Sequence, residues 1–196
     1  NVKKGLWGDF AIAKPIHAVR GQTLGLLGCG RIARCLAVKA QVFGIKVIAY
    51  DPYIKPEAVK DFGVTLVSRE ELLAQSDFIS MHLLLNEDTR KSINADFFKK
   101  MKNSAIFVNT ARGGLVDEDA LIEALRTGEI AGAALDVLTE EGIDKDAPLQ
   151  KFDNVIITPH AAWYSEQAFY TLLTSAAQEV VRALHGEPVK NQVNHF

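Results

Sequence analysis

The sequence predicts an α/β fold, a doubly wound parallel sheet with helices on both faces. Short apolar runs alternate with longer amphipathic segments along the chain, which is the pattern of repeated βαβ units. Strands that are apolar throughout are typical of a parallel sheet covered on both sides. A glycine-rich turn, Gly28-Cys-Gly30-Arg-Ile-Ala33, also separates the first predicted strand from the first predicted helix.

The first half of the chain contains three predicted strands and two predicted helices. Apolar runs predict strands at Thr23–Gly28, Lys46–Tyr50 and Phe78–His82. A helix is predicted over residues 31–43, with one apolar face made of Ile32, Leu36, Ala40 and Phe43. Ser68 is followed three residues later by Glu71, which is a capping-box signature, so a short helix should cover residues 68–75.

The second half repeats the alternation. Strands are predicted at Ser104–Asn109, Ala131–Val137 and Asn154–Ile157. Asp117 should open a helix that runs to about Arg126, because Gly128 lies just beyond, where helices commonly end. A long helix is predicted over residues 165–185, and Gly186 should end it.

Length and composition restrict the class of protein. The chain has 196 residues, so one large domain fits, or one domain with appendages, and its formal net charge is −2. A protein that binds nucleic acid through its overall charge would carry an excess of basic residues. This chain has no such excess, so we expect no direct nucleic-acid partner. Two cysteines, Cys29 and Cys35, are too few for a disulfide framework or a four-cysteine metal site, so we expect no metal and a reducing, cytoplasmic location. No run reaches the roughly 18 apolar residues of a membrane span.

The glycine-rich turn has the features of a Rossmann-type dinucleotide site. Gly28 would permit the tight turn after the strand, and Gly30 would let a pyrophosphate approach the backbone. The third position must be small so that the helix can pack on the strand, and Ala33 meets that need. The following helix would offer its unsatisfied N–H groups to the phosphates.

An acidic residue supports the same interpretation. Asp51 ends the second predicted strand, 23 residues after Gly28, where a carboxylate accepts hydrogen bonds from the adenosine ribose. Its charge would repel a 2′-phosphate, and the following Pro52 and Tyr53 supply no cation. The sequence therefore favours NAD over NADP. A plain Asp-Pro turn is the alternative explanation.

Polar residues follow three later strands. Arg112 comes shortly after one strand, and its planar guanidinium suits a carboxylate bidentately. Asp136 ends the next strand, and Glu141 lies five residues further on. His160 directly follows the last strand. His82 also follows a strand, and we interpret it as structural. Because open α/β sheets bind ligands at the carboxyl ends of their strands, Arg112 and His160 are expected to converge there.

Four motifs in this order resemble the D-isomer-specific 2-hydroxyacid dehydrogenases. They are Arg20-Gly-Gln-Thr-Leu-Gly-Leu-Leu-Gly-Cys-Gly-Arg-Ile, Asn109-Thr-Ala-Arg-Gly-Gly-Leu-Val-Asp-Glu, Ala133-Ala-Leu-Asp-Val and Thr158-Pro-His-Ala-Ala-Trp-Tyr-Ser. The resemblance extends from about Gly5 to Pro188. The stretch from His160 is also similar to the branch that contains the C-terminal-binding-protein corepressors and phosphoglycerate dehydrogenase.

The resemblance implies a mechanism. It assigns Arg112 to substrate clamping, His160 to acid–base catalysis and Glu141 to orienting that histidine. NAD would carry the hydride, and a 2-hydroxy or 2-oxo acid would be the substrate. The cofactor-binding residues implied are Gly28, Gly30, Arg31, Ile32, Asp51, Thr110, Ala111, Asp136 and His160.

The resemblance also implies a domain organisation. Residues 1–20 would be a connector from a substrate domain that is largely absent, and residues 21–164 the NAD-binding domain. Residues 165–196 would form a helix and tail that return toward the substrate domain. The chain begins at Asn1 rather than Met, so we expect it to be processed, trimmed or cut from a longer protein. A homodimer through the NAD-binding domain is implied, with no membrane or direct nucleic-acid partner.

Two alternatives stay open at this point. One is a corepressor-like, NAD-sensing dimeric interaction protein of the same fold, which the intact Arg112, Glu141 and His160 do not exclude. The other is a short-chain alcohol dehydrogenase, which we disfavour because none of the tyrosines is followed by a lysine four residues later.

Overall fold

The computed structural model describes Gly5, residues 17–142, residues 146–190 and Gln192. The chain divides between Ile157 and Thr158 into two compact units, the first containing the sheet and the second a long helix. The connector expected over residues 1–20 lies mostly outside the described residues.

The first unit is built on a seven-stranded sheet. Every paired strand is parallel, and the order across the sheet is β3-β2-β1-β4-β5-β6-β7. This is the doubly wound Rossmann arrangement, in which the strand order reverses between β1 and β4. The strands are β1 Thr23–Leu27, β2 Lys46–Tyr50, β3 Thr65–Leu66, β4 Phe78–Met81, β5 Ile106–Asn109, β6 Gly132–Leu135 and β7 Val155–Ile157.

The strands end level with one another. Leu27 at the end of β1 pairs with Tyr50 of β2 on one side and with Met81 of β4 on the other. The same row continues through Asn109 of β5 to Leu135 of β6. The residues that follow these strands therefore emerge together along one edge, in a row made of Asp51, Gly28, His82, Thr110 and Asp136.

Helices cover both faces of the sheet. The helices of the first unit are α1 Arg31–Val42, α2 Arg69–Gln75, α3 Ala95–Lys99 and α4 Glu118–Thr127. One apolar cluster contains α1 residues and one side of the central strands. The other contains residues of α2, α3 and α4 with the opposite side, including edge-to-face contacts among Phe97, Phe98 and Phe107. Two separate apolar layers confirm the predicted doubly wound fold.

The buried face of α1 differs from the predicted one. Ala33, Ala37 and Ala40 are buried, whereas Ile32 and Phe43 are 75% and 65% exposed. The prediction was right for Ala40 and wrong for Ile32 and Phe43, because it ranked residues by hydrophobicity. Close packing of α1 against the sheet requires small side chains, and this turns the larger apolar residues outward.

Local signals placed the helix ends correctly. Ser68 accepts a hydrogen bond from the Glu71 N–H at 3.2 Å, and the Glu71 carboxylate accepts one from the Ser68 N–H, so the capping box is complete. Gly128 ends α4 in the left-handed conformation, at φ 73°. The short elements β3 and α3 had no counterpart in the sequence prediction.

The second unit contains helix α5, Glu166–Leu184, close to its predicted bounds. Ser165 caps its first turn by accepting a hydrogen bond from the Ala168 N–H at 3.0 Å. None of its residues is buried, although several are large and apolar. Across the described part of the chain, no helix has both the length and the apolar character needed to cross a membrane.

Candidate functional site

Two cavities open beside the carboxyl ends of the central strands. One, which we call the arginine cavity, is about 670 Å³ and is lined by Gly30–Ala33, Met81–Leu85 and Thr110–Arg112. The other, the aspartate cavity, is about 490 Å³ and is lined by Gly28, Tyr50–Tyr53 and residues after β4. Gly30, His82, Leu83 and Leu84 line both cavities. They lie at the point where the strand order reverses, which is where such sheets bind ligands.

The glycine turn adopts a backbone that a side chain would not permit. Gly28 has φ 92°, and a Cβ atom built on it would lie 2.8 Å from the His82 carbonyl oxygen. Gly28 therefore lets β1 turn closely past the end of β4. Gly30 has an ordinary φ of −72°, and a Cβ built on it would meet nothing within 4 Å. Because Gly30 faces the cavities, its missing side chain leaves space for a ligand.

The first turn of α1 is available to an anion. Gly30 is its N-cap, and none of the described side chains caps the turn. The turn also contains no acidic residue. Its N–H groups and the positive end of the helix dipole therefore face the cavities without competition from a carboxylate of the turn itself. Arg31 is exposed and lines the arginine cavity, adding positive charge there.

Asp51 is bound to the glycine turn. Its Oδ2 accepts a hydrogen bond from the Cys29 N–H, and its Oδ1 accepts one from the Tyr53 N–H, both at 2.9 Å. These bonds fix the carboxylate at the wall of the aspartate cavity. Cys29 itself is buried, and that burial raises the pKa of its thiol above the ordinary value. Cys29 is therefore a neutral packing residue beneath the turn.

Arg112 is held by a side chain at the end of β5. The Asn109 Oδ1 accepts a hydrogen bond from the Ala111 N–H, and its Nδ2 donates to the Arg112 carbonyl, both at 3.0 Å. Asn109 is buried, whereas Arg112 is exposed at the arginine cavity. This arrangement fixes the turn, and the Nη1 of the exposed Arg112 guanidinium donates a hydrogen bond to the Ala111 carbonyl at 2.6 Å. Such a cation can bind a carboxylate that enters the cavity.

The predicted site residues fall into two groups. The structure brings eight of them to the two cavities, namely Gly28, Gly30, Arg31, Ile32, Asp51, Thr110, Ala111 and Arg112. Asp136 is buried directly after β6, and its N–H donates to the Asn109 carbonyl at 2.9 Å. Glu141 is exposed on the segment that follows β6. These two residues do not line either cavity.

His160 belongs to the second unit and has an unusual backbone. Its φ is 52°, in the left-handed region that few residues other than glycine adopt. Its N–H donates to the Thr158 carbonyl at 3.0 Å, which closes a tight turn. Strain of this kind is found preferentially at functional positions. This backbone is independent of the two reasons for which the sequence singles out His160, its place after a strand and the family resemblance.

His82 lines both cavities, in addition to the structural role expected from its place after a strand. Its Nε2 lies 3.0 Å from the Ser80 Oγ, and Ser80 is buried. Burial lowers the pKa of His82 to about 4, so the imidazole is neutral near pH 7. The position of His82 at the cavities follows from β4 lying beside β1 in the sheet. This strand order is not visible in the sequence around His82. Arg69, Thr89 and Ser92 also line the aspartate cavity and were not singled out.

The described residues contain no group of three or more His, Cys, Asp or Glu side chains placed to hold a metal ion. The cavities instead combine uncapped helix N–H groups, a fixed carboxylate and three arginines, Arg31, Arg69 and Arg112. That combination suits an anionic ligand with polar hydroxyl groups.

Comparisons with known proteins point to one family. Residues 1–162 match the family described as "D-isomer specific 2-hydroxyacid dehydrogenase, NAD binding domain". The chain is 44% identical over 195 residues to a D-3-phosphoglycerate dehydrogenase of Methanocaldococcus jannaschii, covering 99% of this chain and 37% of that protein. It is 42% identical over 178 residues to a glyoxylate reductase of Korarchaeum cryptofilum, covering 91% of this chain and 54% of that protein.

Solved structures agree with the fold. The D-lactate dehydrogenase of Lactobacillus jensenii, solved with NAD⁺, superposes with a TM-score of 0.86 at 33% identity. That match covers 100% of this chain and 62% of the other. The chain thus spans between about a third and two thirds of the length of these proteins.

Proposed function

The chain belongs to the D-isomer specific 2-hydroxyacid dehydrogenase family, and from that membership we propose that the protein transfers a hydride between NAD(H) and a 2-hydroxy or 2-oxo acid. The match lies over the family's NAD-binding domain. One observation carries the proposal most directly. Asp51 is hydrogen-bonded to the glycine turn and lines the aspartate cavity, whereas Arg112 lines the arginine cavity. Gly30 lines both cavities and therefore connects them.

The residues present fit a dinucleotide. In this proposal, Asp51 accepts hydrogen bonds from the adenosine ribose in the aspartate cavity. Gly28, Gly30, Arg31 and the first turn of α1 hold the pyrophosphate, for which the uncapped N–H groups provide the fit. The nicotinamide end contacts the remaining predicted residues, which are Ile32, Thr110, Ala111, Asp136 and His160.

The chemistry divides among three side chains. NAD(H) supplies or accepts the hydride when bound. We infer that Arg112 binds the carboxylate of the acid and stabilises charge that develops on the reacting oxygen. His160 donates a proton to that oxygen during reduction and removes it during oxidation. Glu141 orients His160 and favours its protonated form.

The substrate is proposed as a small 2-oxo or 2-hydroxy acid. The relatives described above are named for phosphoglycerate, glyoxylate and lactate, so the acid differs among similar proteins. A phosphoglycerate dehydrogenase-like activity is the first to test, because that relative has the highest identity of the three. All three are named as enzymes, which favours a dehydrogenase over the corepressor-like alternative.

A homodimer through the NAD-binding domain is also proposed. The outward surface of α1 carries Cys35, Val38 and Val42, which follow one another at helical spacing. Val38 and Val42 are 50% and 82% exposed. An apolar stripe of this kind suits the self-complementary contact of a twofold dimer. We call these three residues the α1 stripe.

We also propose domain boundaries and a cellular location for the protein. We keep residues 1–20 as a connector, 21–164 as the NAD-binding domain and 165–196 as a return toward a substrate domain. The exposed apolar residues of α5 support the last assignment, because such a surface needs a partner in a folded protein. A cytoplasmic location is consistent with the free thiols of Cys29 and Cys35.

The test is steady-state kinetics on the full-length protein with a panel of 2-oxo acids. Replacing His160 by Asn should slow reduction of the best substrate by about 10²–10⁴-fold, because the proton donor is lost. His185→Asn is the matched control, since His185 is an exposed histidine at the end of α5. Reduction by His160→Asn at the parent rate would refute the proposed mechanism.

A further inference from the structure

The segment that follows β6, residues 138–142, carries Glu141 and is attached to the start of α4. The Thr139 N–H donates a hydrogen bond to the Glu118 Oε2 at 3.3 Å. Glu118 is the first residue of α4. A side chain 21 residues earlier in the chain therefore fixes the backbone two residues before Glu141.

A second contact holds the same segment from below. The Leu138 carbonyl lies where a Cβ atom of Gly113 would be, so the two backbones touch directly. Gly113 follows Arg112 and begins a single turn of 3₁₀ helix that ends at Leu115. The backbone beside the cavity arginine thus supports the backbone that leads to Glu141.

The two contacts enclose almost no free space. A cavity of about 10 Å³ lies between them, lined by Gly113, Glu118, Leu138 and Thr139 among others. That volume is at the lower limit for one water molecule. On the Gly113 side the segment therefore packs directly on its support, and the hydrogen bond from Thr139 adds a polar connection to α4.

We propose that Glu118 is a positioning residue for the reaction, because its carboxylate holds residues 138–142 and thereby sets the place of Glu141. The inference rests on the proposed role of Glu141. Glu118 does not touch substrate or cofactor in this proposal. It acts by fixing the backbone that carries the orienting carboxylate, since small displacements of such groups cost large factors in rate.

Glu118 could instead act only through its charge at the start of α4, and a neighbouring acidic residue distinguishes that role from positioning. Acidic residues in the first turn of a helix stabilise it through the dipole, and both Glu118 and Asp119 lie in the first turn of α4. Both also line a cavity of about 420 Å³, whose other charged residues are Lys91, Asp117 and Glu140. The hydrogen bond to Thr139, however, comes from Glu118. Asp119 therefore provides a control of similar charge and location.

The kinetic test uses the full-length protein and three variants. Glu118→Ala should lower kcat/KM for reduction by between about 10- and 100-fold and move the upper pH limit of reduction downward, as loss of Glu141 would. Glu118→Gln should stay within about threefold of the parent, because its amide oxygen still accepts the Thr139 N–H. Asp119→Asn should leave both quantities unchanged. If Glu118→Ala does not fold, Glu118→Asp tests the same bond, since its carboxylate is one methylene too short.

A second variant pair shows whether Glu118 acts through Glu141. Adding Glu118→Ala to Glu141→Gln should not lower kcat/KM further, because the effects of substituting residues that act as one unit are not additive. Independent, additive losses would overturn the proposal. So would a parental pH profile in Glu118→Ala while Glu141→Gln shifts it.

Hydrogen exchange separates this inference from the proposed function. The Thr139 amide should exchange at least about tenfold faster in Glu118→Ala than in the parent and in Glu118→Gln. This readout does not depend on catalysis. Unchanged exchange refutes the positioning role, whereas faster exchange with no effect of Glu141→Gln on kinetics refutes the proposed role of Glu141 instead.

Discussion

The Asp51 carboxylate and the Cys29 N–H are joined by a 2.9 Å hydrogen bond, so the acidic end of β2 is part of the glycine turn. The residue proposed to bind the ribose therefore also holds the turn proposed to bind phosphate. Substitutions of Asp51 can alter both functions, and the choice of replacement separates them.

The first prediction concerns cofactor preference. The unmodified chain should bind NADH at least about tenfold more tightly than NADPH, because the Asp51 charge repels a 2′-phosphate. Asp51→Ala should weaken NADH binding by about 10- to 100-fold, since charged hydrogen bonds to the ribose and the bond to Cys29 are both lost. Asp51→Asn keeps an oxygen that can accept from the Cys29 N–H. It should reduce the preference for NADH over NADPH while weakening NADH binding less than Asp51→Ala does. Calorimetric titration measures all of these, and equal affinity of the parent for both cofactors would contradict the prediction.

The second prediction separates the roles of the two glycines. Gly28→Ala should lower the free energy of unfolding by about 2 kcal/mol or more, because φ is 92° and the new Cβ would press on the His82 carbonyl. Gly30→Ala should leave stability within about 0.5 kcal/mol, since its Cβ meets nothing, yet weaken NADH binding by filling the approach to the cavities.

Urea unfolding and calorimetry on both glycine variants provide the comparison. The assignment of roles fails if Gly30→Ala unfolds as easily as Gly28→Ala, or if it binds NADH like the parent.

The third prediction follows from His82. Its pKa is lowered to about 4 by burial, whereas the unfolded chain binds a proton there near pH 6.5. Falling pH between about 6.5 and 4 therefore protonates the unfolded state first, and stability that is present above pH 6.5 is progressively lost. The loss should be roughly 2–3 kcal/mol by pH 4.

Urea unfolding between pH 7.5 and 5 isolates this effect, because most carboxylates bind protons only at lower pH. His82→Asn should flatten the slope, and His185→Asn should not. A parent protein with no loss of stability between pH 6.5 and 5 would show that His82 is not buried in its neutral form.

The fourth prediction compares the two charged residues of the proposed mechanism. In the full-length protein, Arg112→Ala should raise KM for the 2-oxo acid and also lower kcat, because the clamp acts in the ground and transition states. Glu141→Gln should instead move the optimum for reduction to lower pH, because a neutral amide no longer favours the protonated histidine. Measuring kcat and KM across pH distinguishes them. Identical effects of the two substitutions would argue against separate roles.

The fifth prediction concerns assembly. The protein should be a dimer by light scattering across a concentration series. Val42→Glu should raise the dissociation constant by about 100-fold or more, because it would bury an unpaired charge in the α1 stripe. Lys60→Glu, at an exposed site outside α1, serves as the control. If Val42→Glu leaves the dissociation constant of the dimer unchanged, the dimer interface does not include the α1 stripe.

Most of the fold was predictable because its signals are local. The Ser68 and Glu71 capping box and the glycine after α4 act within one helical turn, so the sequence places them without tertiary information. The two-residue strand β3 and the five-residue helix α3 are too short to show a period. The α1 face was mispredicted in part because Ala33 and Ala37 carry little hydrophobic signal, and their burial depends on how closely the sheet approaches.

The candidate site was predictable to the extent that spacing identifies it. Gly28 and Asp51 have a fixed separation in sequence, and the structure joins them through Cys29. His82 has no such spacing, and its position at the cavities follows only from β4 lying next to β1. The contact between Gly113 and Leu138 was equally invisible, because it depends on the absence of a side chain rather than on its chemistry.

The strand order also has a consequence for how the chain folds. β1 lies between β2 and β4, so its second neighbour ends at Met81, 54 residues after Leu27. At synthesis rates of about 5–20 residues per second, β4 is synthesised several seconds after β1, and one edge of β1 stays unpaired during that time. Parallel strands with crossover connections also form late, because loop closure precedes their contacts. The Thr23 N–H, which donates to Asp77 just before β4, should therefore become protected only late in refolding.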